Sequence, residues 1–226
     1  MLHRIANGRT DLIHDWLASG GDAETEIDGA SLARWCAYYG DVCALRLLVA
    51  EGVSLETLGF NHGLNGAAFH GHWQLCEYLI EAGANVNLAE PETGETPLHV
   101  SFCSHQSSRH AEVARVLLNG GADPNVRCAD GAATGSFMRD VRTVGETPLH
   151  RAAAYGTADA IDLLITRGAQ IDARDSRGDS PLTWASRALR SPAFLRLLVF
   201  PPHSVSPDYR PMRHSLVGRS VSEGEG

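Results

Sequence analysis

The side chains best suited to chemistry in this chain are its histidines, cysteines and arginines, and their spacing does not assemble a catalytic centre. No Gly-x-Ser-x-Gly, His-Glu-x-x-His or phosphate-binding loop occurs. His70 and His72 stand two residues apart, as a metal pair would, but no Cys or His ligand follows at a fixed spacing, so no metal site is expected. The five cysteines, at 36, 43, 76, 103 and 128, are odd in number and contain no Cys-x-x-Cys pair. That argues against a disulfide framework and suits a reducing, cytoplasmic setting. Cys36, Cys43 and Cys76 fall inside apolar helical runs and are expected as buried thiols. Functional residue types gather most densely in two segments, 104–110 and 127–145, which supply His105, Arg109, Phe137, Arg139, Asp140 and Arg142. Arginine forks suit carboxylate or phosphate groups.

Composition narrows the function further. The 226 residues carry 27 acidic against 19 basic side chains, a net charge of −8, and every basic residue is arginine. A 43% hydrophobic content is ample for a core and excludes disorder over most of the length. No apolar run is long enough to span a membrane, and no charged and apolar leader opens the chain. The acidic balance disfavours nucleic acid as a partner. The charge is uneven: residues 1–126 hold 6 Arg and 16 acids, 6 − 16 = −10, whereas residues 127–226 hold 13 Arg and 11 acids, 13 − 11 = +2.

The elements that must position these side chains repeat along the chain. Gly-Glu-Thr-Pro-Leu-His occurs at 94–99 and again at 145–150, and a degenerate copy, Gly-Asp-Ser-Pro-Leu-Thr, stands at 178–183. Thr-Pro predicts a helix start, with Thr as the cap and Pro at the first helical position. A short Ala-rich helix follows. A second helix carries Leu and Val at i, i+3, i+4 and i+7, as in LRLLVAEG, LCEYLIEAG, VARVLLNGG and AIDLLITRG. It is expected to stop in left-handed glycines at Gly52, Gly83, Gly120 and Gly168. Neither helix can bury its stripe alone, so the units must stack.

With these motifs in place, residues 94–125 and 145–175 resemble ankyrin repeats. They share the Thr-Pro-Leu-His tetrapeptide, the Ala-rich helix and a closing Gly-Ala-x-x-Asn/Asp turn. The resemblance implies an all-α solenoid of about six helix–turn–helix units with β-hairpin fingers between them, spanning 1–202. The units fall near 1–26, 27–57, 58–90, 91–126, 127–174 and 175–202, and a Pro-, Ser- and Arg-rich tail at 203–226 reads as flexible. The fifth unit holds a long finger insertion, 127–145, and the loop 104–110 is also lengthened.

The resemblance also implies where a partner would bind. Short first helices line a concave face, and the variable positions there carry over to Tyr38, Tyr39, Phe69, His70, Tyr155 and Arg187. The interrupted unit offers His105 and Arg109, and the finger offers Phe137, Arg139, Asp140 and Arg142. Trp35 and Trp184 fall at inward positions and are expected in the core; His99 and His150 of the tetrapeptides are expected to order loops. The expected function is a monomeric cytoplasmic adaptor binding a protein or peptide, with no catalytic residue, cofactor, nucleic acid or membrane involved. The alternative is a pocket between the 104–110 and 127–145 insertions that binds a small acidic molecule or does acid–base chemistry.

Overall fold

Among the described residues each Thr-Pro or Ser-Pro dipeptide opens a helix, and the helices come in pairs. The computed structural model describes residues 1–103, 108–135 and 141–204, and of Ser108 the backbone alone. His105, Phe137, Arg139, Asp140 and the tail from 205 onward lie outside the described residues. The first helices of the pairs are α1 (Leu2–Ala6), α3 (Leu32–Tyr39), α5 (Leu64–Phe69), α7 (Pro97–Val100), α9 (Pro148–Tyr155) and α11 (Pro181–Arg187). The second helices are α2 (Ile13–Ala18), α4 (Val42–Ala50), α6 (Trp73–Glu81), α8 (Ser108–Asn119), α10 (Ala158–Thr166) and α12 (Pro192–Arg196). Consecutive first helices pack side by side, as do the second helices from α2 to α10, giving two layers.

The second helices close the core. The predicted stripes bury Leu45 and Leu48 in α4, Leu75 and Leu79 in α6, Val113 and Leu117 in α8, and Ile161 and Leu164 in α10. They join one continuous hydrophobic cluster running from Ile5 to Leu198. Each such Leu contributes about 1.5–3 kcal/mol relative to an exposed one. The stop glycines behave as expected at Gly52, Gly83 and Gly168, all at positive φ. In the Gly120-Gly121 pair, however, it is Gly121 that takes the left-handed conformation, because α8 runs one residue further.

Polar ladders tie one pair to the next. Nδ1 of His99 accepts from the N–H (3.2 Å) and the hydroxyl (2.8 Å) of Thr96, leaving Nε2–H to donate to the Glu146 carbonyl at 3.3 Å. His150 repeats this with Thr147 and the Asp179 carbonyl. Along the opposite edge, Asn87 donates to the Gly121 carbonyl and accepts from the Asp123 N–H, and Asn125 does the same with Gly168 and Gln170. These are the closing asparagines of the Gly-Ala-x-x-Asn turns. Where the histidine is replaced, the bridge changes: Arg34 donates Nε–H to the Thr57 carbonyl, while the buried Oδ1 of Asn65 has no hydrogen-bond partner among the described residues.

Two hairpins join pairs. β1 (Glu26–Ile27) and β2 (Ala30–Ser31) turn at Asp28-Gly29, both at positive φ, as a primed two-residue turn requires. β3 (Asp130–Ala133) and β4 (Arg142–Val144) form the base of the long finger. That base is stitched to both neighbours: Ala129 N–H donates to the Thr93 carbonyl and Ser176 N–H to the Val144 carbonyl. A side chain on Gly94 would meet the Ala129 nitrogen at 2.7 Å, and φ there is +68°, so the glycine opening the first hexapeptide is required by close approach of the next connection.

Candidate partner-binding surface

The first-helix layer presents two different surfaces along its length. Around α3 and α5 it is aromatic. Tyr38 is 54% exposed, and its ring meets Trp35 (6.2 Å), Tyr39 (5.0 Å) and His70 (5.2 Å), all edge-on. Such contacts fix the ring while leaving one face to solvent. A small cleft of about 220 Å³ opens beside it, lined by Tyr38, His70, Ala37, Ala67, Leu58 and Arg34 among others. His70 is exposed, and partial burial, followed by the nearby His72 and His110, lowers its pKa, so it favours the neutral imidazole.

Tyr39 and Phe69 depart from the picture of free concave side chains. Tyr39 is 39% exposed, yet its hydroxyl donates to the Ala6 carbonyl at 2.9 Å and its ring stacks on Trp35. Phe69 is half-buried and packs against the core. Trp35 and Trp184 are also half-buried rather than enclosed; their indole N–H groups donate to the Ile27 carbonyl and to the Asp175 carboxylate. His72 donates Nε2–H to the Tyr38 carbonyl and His110 to the Phe69 carbonyl, so both lock neighbouring pairs together. No group of three or more His, Cys, Asp or Glu suited to a metal ion occurs among the described residues.

Around α9 and α11 the surface opens wider and carries several charged side chains. A groove of about 760 Å³ is lined by Val144 of the finger, Tyr155 and Thr157, and by Arg177, Trp184 and Arg187. Tyr155 is 38% exposed. Arg187 is ion-paired with Asp179. Arg142, exposed on the finger, donates to the Gly131 carbonyl at 2.6 Å and so serves the hairpin. Arg109 is exposed at the start of α8, against the Gly71 turn. This groove lies beside Val144 at the base of the finger, toward α11. The pocket expected between the two insertions falls largely on residues 104–107 and 136–140, outside the described residues.

Beneath the finger lies a feature the sequence did not announce. Arg151, fully buried, donates to Glu95 at 2.6 Å and to Glu146 at 2.6 Å; these are the glutamates of the two Gly-Glu-Thr-Pro-Leu-His copies. Its guanidinium also meets the sulfurs of Cys103 (3.1 Å) and Cys128 (3.5 Å). The Thr134 hydroxyl, on the finger, donates to Glu95 at 2.9 Å, and the Val144 N–H donates to Glu146 at 2.7 Å. The base of the finger is therefore pinned by buried charge. A signal was available: Arg151 occupies the place that Val100 holds after the first hexapeptide, so a cation interrupts an apolar position.

The cysteines are all free thiols. Burial pushes Cys36 and Cys76 up to about 12 and Cys128 higher still, so they are protonated and inert. Cys43 is exposed, contrary to expectation, because it sits on the outer face of α4, opposite Leu45 and Leu48. No helix of the described residues is long and apolar enough to cross a membrane.

Comparison with known proteins matches this geometry. A family model described as ankyrin repeats in three copies matches residues 33–128 and 133–209. Human ankyrin repeat and SOCS box protein 16 is 29% identical over 212 residues, covering 82% of this chain and 46% of that protein. Rat cyclin-dependent kinase 4 inhibitor B is 34% identical over 127 residues, covering 56% of this chain and 83% of that protein. Bovine ankyrin repeat and SOCS box protein 3 is 32% identical over 190 residues, covering 73% of this chain and 35% of that protein. The chain thus spans less than half the length of the two SOCS box relatives. With paired helices, tetrapeptide caps and a family match over most of its length, the chain belongs to the ankyrin-repeat proteins, whose repeats mediate protein–protein interaction.

Proposed function

We propose that this protein is a cytoplasmic adaptor that holds a protein or peptide partner against its first-helix face, with no chemistry of its own. The observation carrying this reading is Tyr38: a large aromatic side chain, more than half exposed, yet held by three rings beside an apolar cleft. Rigid exposed aromatics lose little entropy on contact and dominate binding energy where they occur. His70, Phe69 and Tyr155 extend the same face, and Arg142, Arg187 and Arg109 supply its charged margin. His105, Phe137, Arg139 and Asp140 remain expected contacts of the finger and the lengthened loop. The names of the relatives agree with this reading, since cyclin-dependent kinase 4 inhibitor B is named for a protein target.

The test is affinity capture from lysate with the wild-type chain and Tyr38→Ala/His70→Ala, with melting curves of both. Loss of the captured partner at an unchanged melting temperature supports the reading. Equal recovery by both proteins argues against it.

A further inference from the structure

The groove between α9 and α11 differs from the aromatic cleft in the charge it leaves unspent. Its lining includes Arg177, Arg187 and Arg190 with Asp175 and Asp179. Asp175 is consumed internally: it is 5% exposed and accepts the N–H groups of Arg177 and Asp179 and the Trp184 indole. Arg190 is consumed too, donating to the Ala154 and Gly156 carbonyls and covering the Phe194 ring at 3.8 Å. Asp179 is neutralised by Arg187 through one guanidinium nitrogen, so Arg187, 64% exposed, keeps donors to offer. Arg177 is exposed and makes no side-chain hydrogen bond among the described residues. What faces an incoming group is therefore cationic, next to the aromatic Tyr155 and Trp184.

We propose that this groove takes an extended peptide segment carrying an Asp or Glu, received by Arg177 and Arg187 beside Tyr155. The proposal rests on the protein-binding reading and names the partner's chemistry at one end of the same face. Planar guanidinium forks match a carboxylate bidentately, which adds direction as well as attraction. The charge of the described residues agrees: 127–135 and 141–204 carry 9 Arg against 7 acids, 9 − 7 = +2, while residues 1–126 carry 6 against 16, 6 − 16 = −10. An acidic segment is drawn to this end and repelled from the other. A net charge of −8 disfavours nucleic acid as the occupant of the same arginines.

The experiment is selection of a random-sequence peptide display library on the full chain, followed by affinity measurement of the selected peptides. Each is measured on the wild type, on Arg177→Gln/Arg187→Gln and on Tyr38→Ala, and again with its Asp and Glu replaced by Asn and Gln. The expected result is enrichment of an acidic residue and about a tenfold loss of affinity for the arginine variant. The amide peptides should lose about as much, and the two losses should not add, because they remove one interaction. Peptides lost on Tyr38→Ala but indifferent to both the arginine variant and the amide change would overturn this proposal and leave the broader reading standing. Peptides indifferent to every variant, or a selection yielding no binder, would count against both. Binding of a uridine 20-mer that depends on the two arginines, with peptides indifferent to them, would assign the groove to a polyanion instead.

Discussion

Around α3 and α5 neighbouring helix pairs meet through rings; around α7 and α9 they meet through charge. In the first region Tyr39 stacks on Trp35 and reaches back to the Ala6 carbonyl, and His72 reaches to the Tyr38 carbonyl. The charged groups that join pairs there, Arg34 to the Thr57 carbonyl and Arg46 to Glu81, lie at the solvent-exposed surface. In the second, a buried guanidinium is shared by two buried carboxylates under the finger. Ring contacts tolerate loss of any one member. A buried ion cluster does not, because each charge removed leaves another uncompensated. The aromatic region can therefore give its side chains to a partner, while the charged region is committed to holding an oversized loop in place.

The sharpest way to break this contrast is Arg151→Met. It leaves Glu95 and Glu146 buried without their cation, and a loss of about 3–5 kcal/mol in denaturant unfolding is expected. Adding Glu95→Gln and Glu146→Gln should recover much of that loss. If the triple variant is no more stable than Arg151→Met, charge is not what makes this junction sensitive. Next in size is His99, whose pKa lies well below the usual value, first because of burial and then because Arg151 stands nearby. The unfolded chain takes up this proton near about pH 6.5 while the folded one resists it. Stability is thus full above about pH 6.5 and falls as the pH drops below it. His99→Gln should make unfolding less steeply dependent on pH in that range. It should also cost about 1–3 kcal/mol at neutral pH, since the Thr96 and Glu146 backbone groups lose their partner.

On the aromatic side the effects should be smaller. Tyr39→Phe removes the hydrogen bond to Ala6 and keeps the stack, for a cost of about 0.5–1.5 kcal/mol. Tyr38→Ala should change unfolding by less than about 0.5 kcal/mol, as an exposed substitution does, while abolishing partner capture. A large destabilisation by Tyr38→Ala would erase the distinction between the two regions.

The repeat was legible because its signals are local. Thr-Pro, the Ala-rich first helix and the Leu/Val stripe each act within a few residues, and the structure realises them as capped helix pairs. The position of the glycine stop slipped by one at Gly120-Gly121, because either residue of the pair can take a positive φ and the length of α8 decides. Cys43 was misjudged because an apolar run of nine residues in α4 has a solvent face as well as a buried one. Phe69 and Tyr39 illustrate the same limit at the surface: their positions on the first helices were readable, but the carbonyl that claims Tyr39 belongs to another unit, and the packing of Phe69 against the core is set by the fold. The Arg151 cluster was hidden for a related reason. Its partner Glu95 lies in a different connection, and pairing across the stack leaves no period in the sequence. The identical glutamates of the two hexapeptides were visible, but only the fold explains why both are kept.

The buried cluster has a consequence for how this array can vary. Solenoids are modular because each unit touches only its neighbours, so whole units can be lost or gained with little penalty. Here Arg151 in α9 draws one carboxylate from its own connection and one from the connection before α7. Excising the pair α7–α8 with its connection would strand a buried cation beside a single acid, and inserting a unit there would separate the two. The middle of this stack behaves as one indivisible block, and recombination by whole repeats is confined to the units on either side of it.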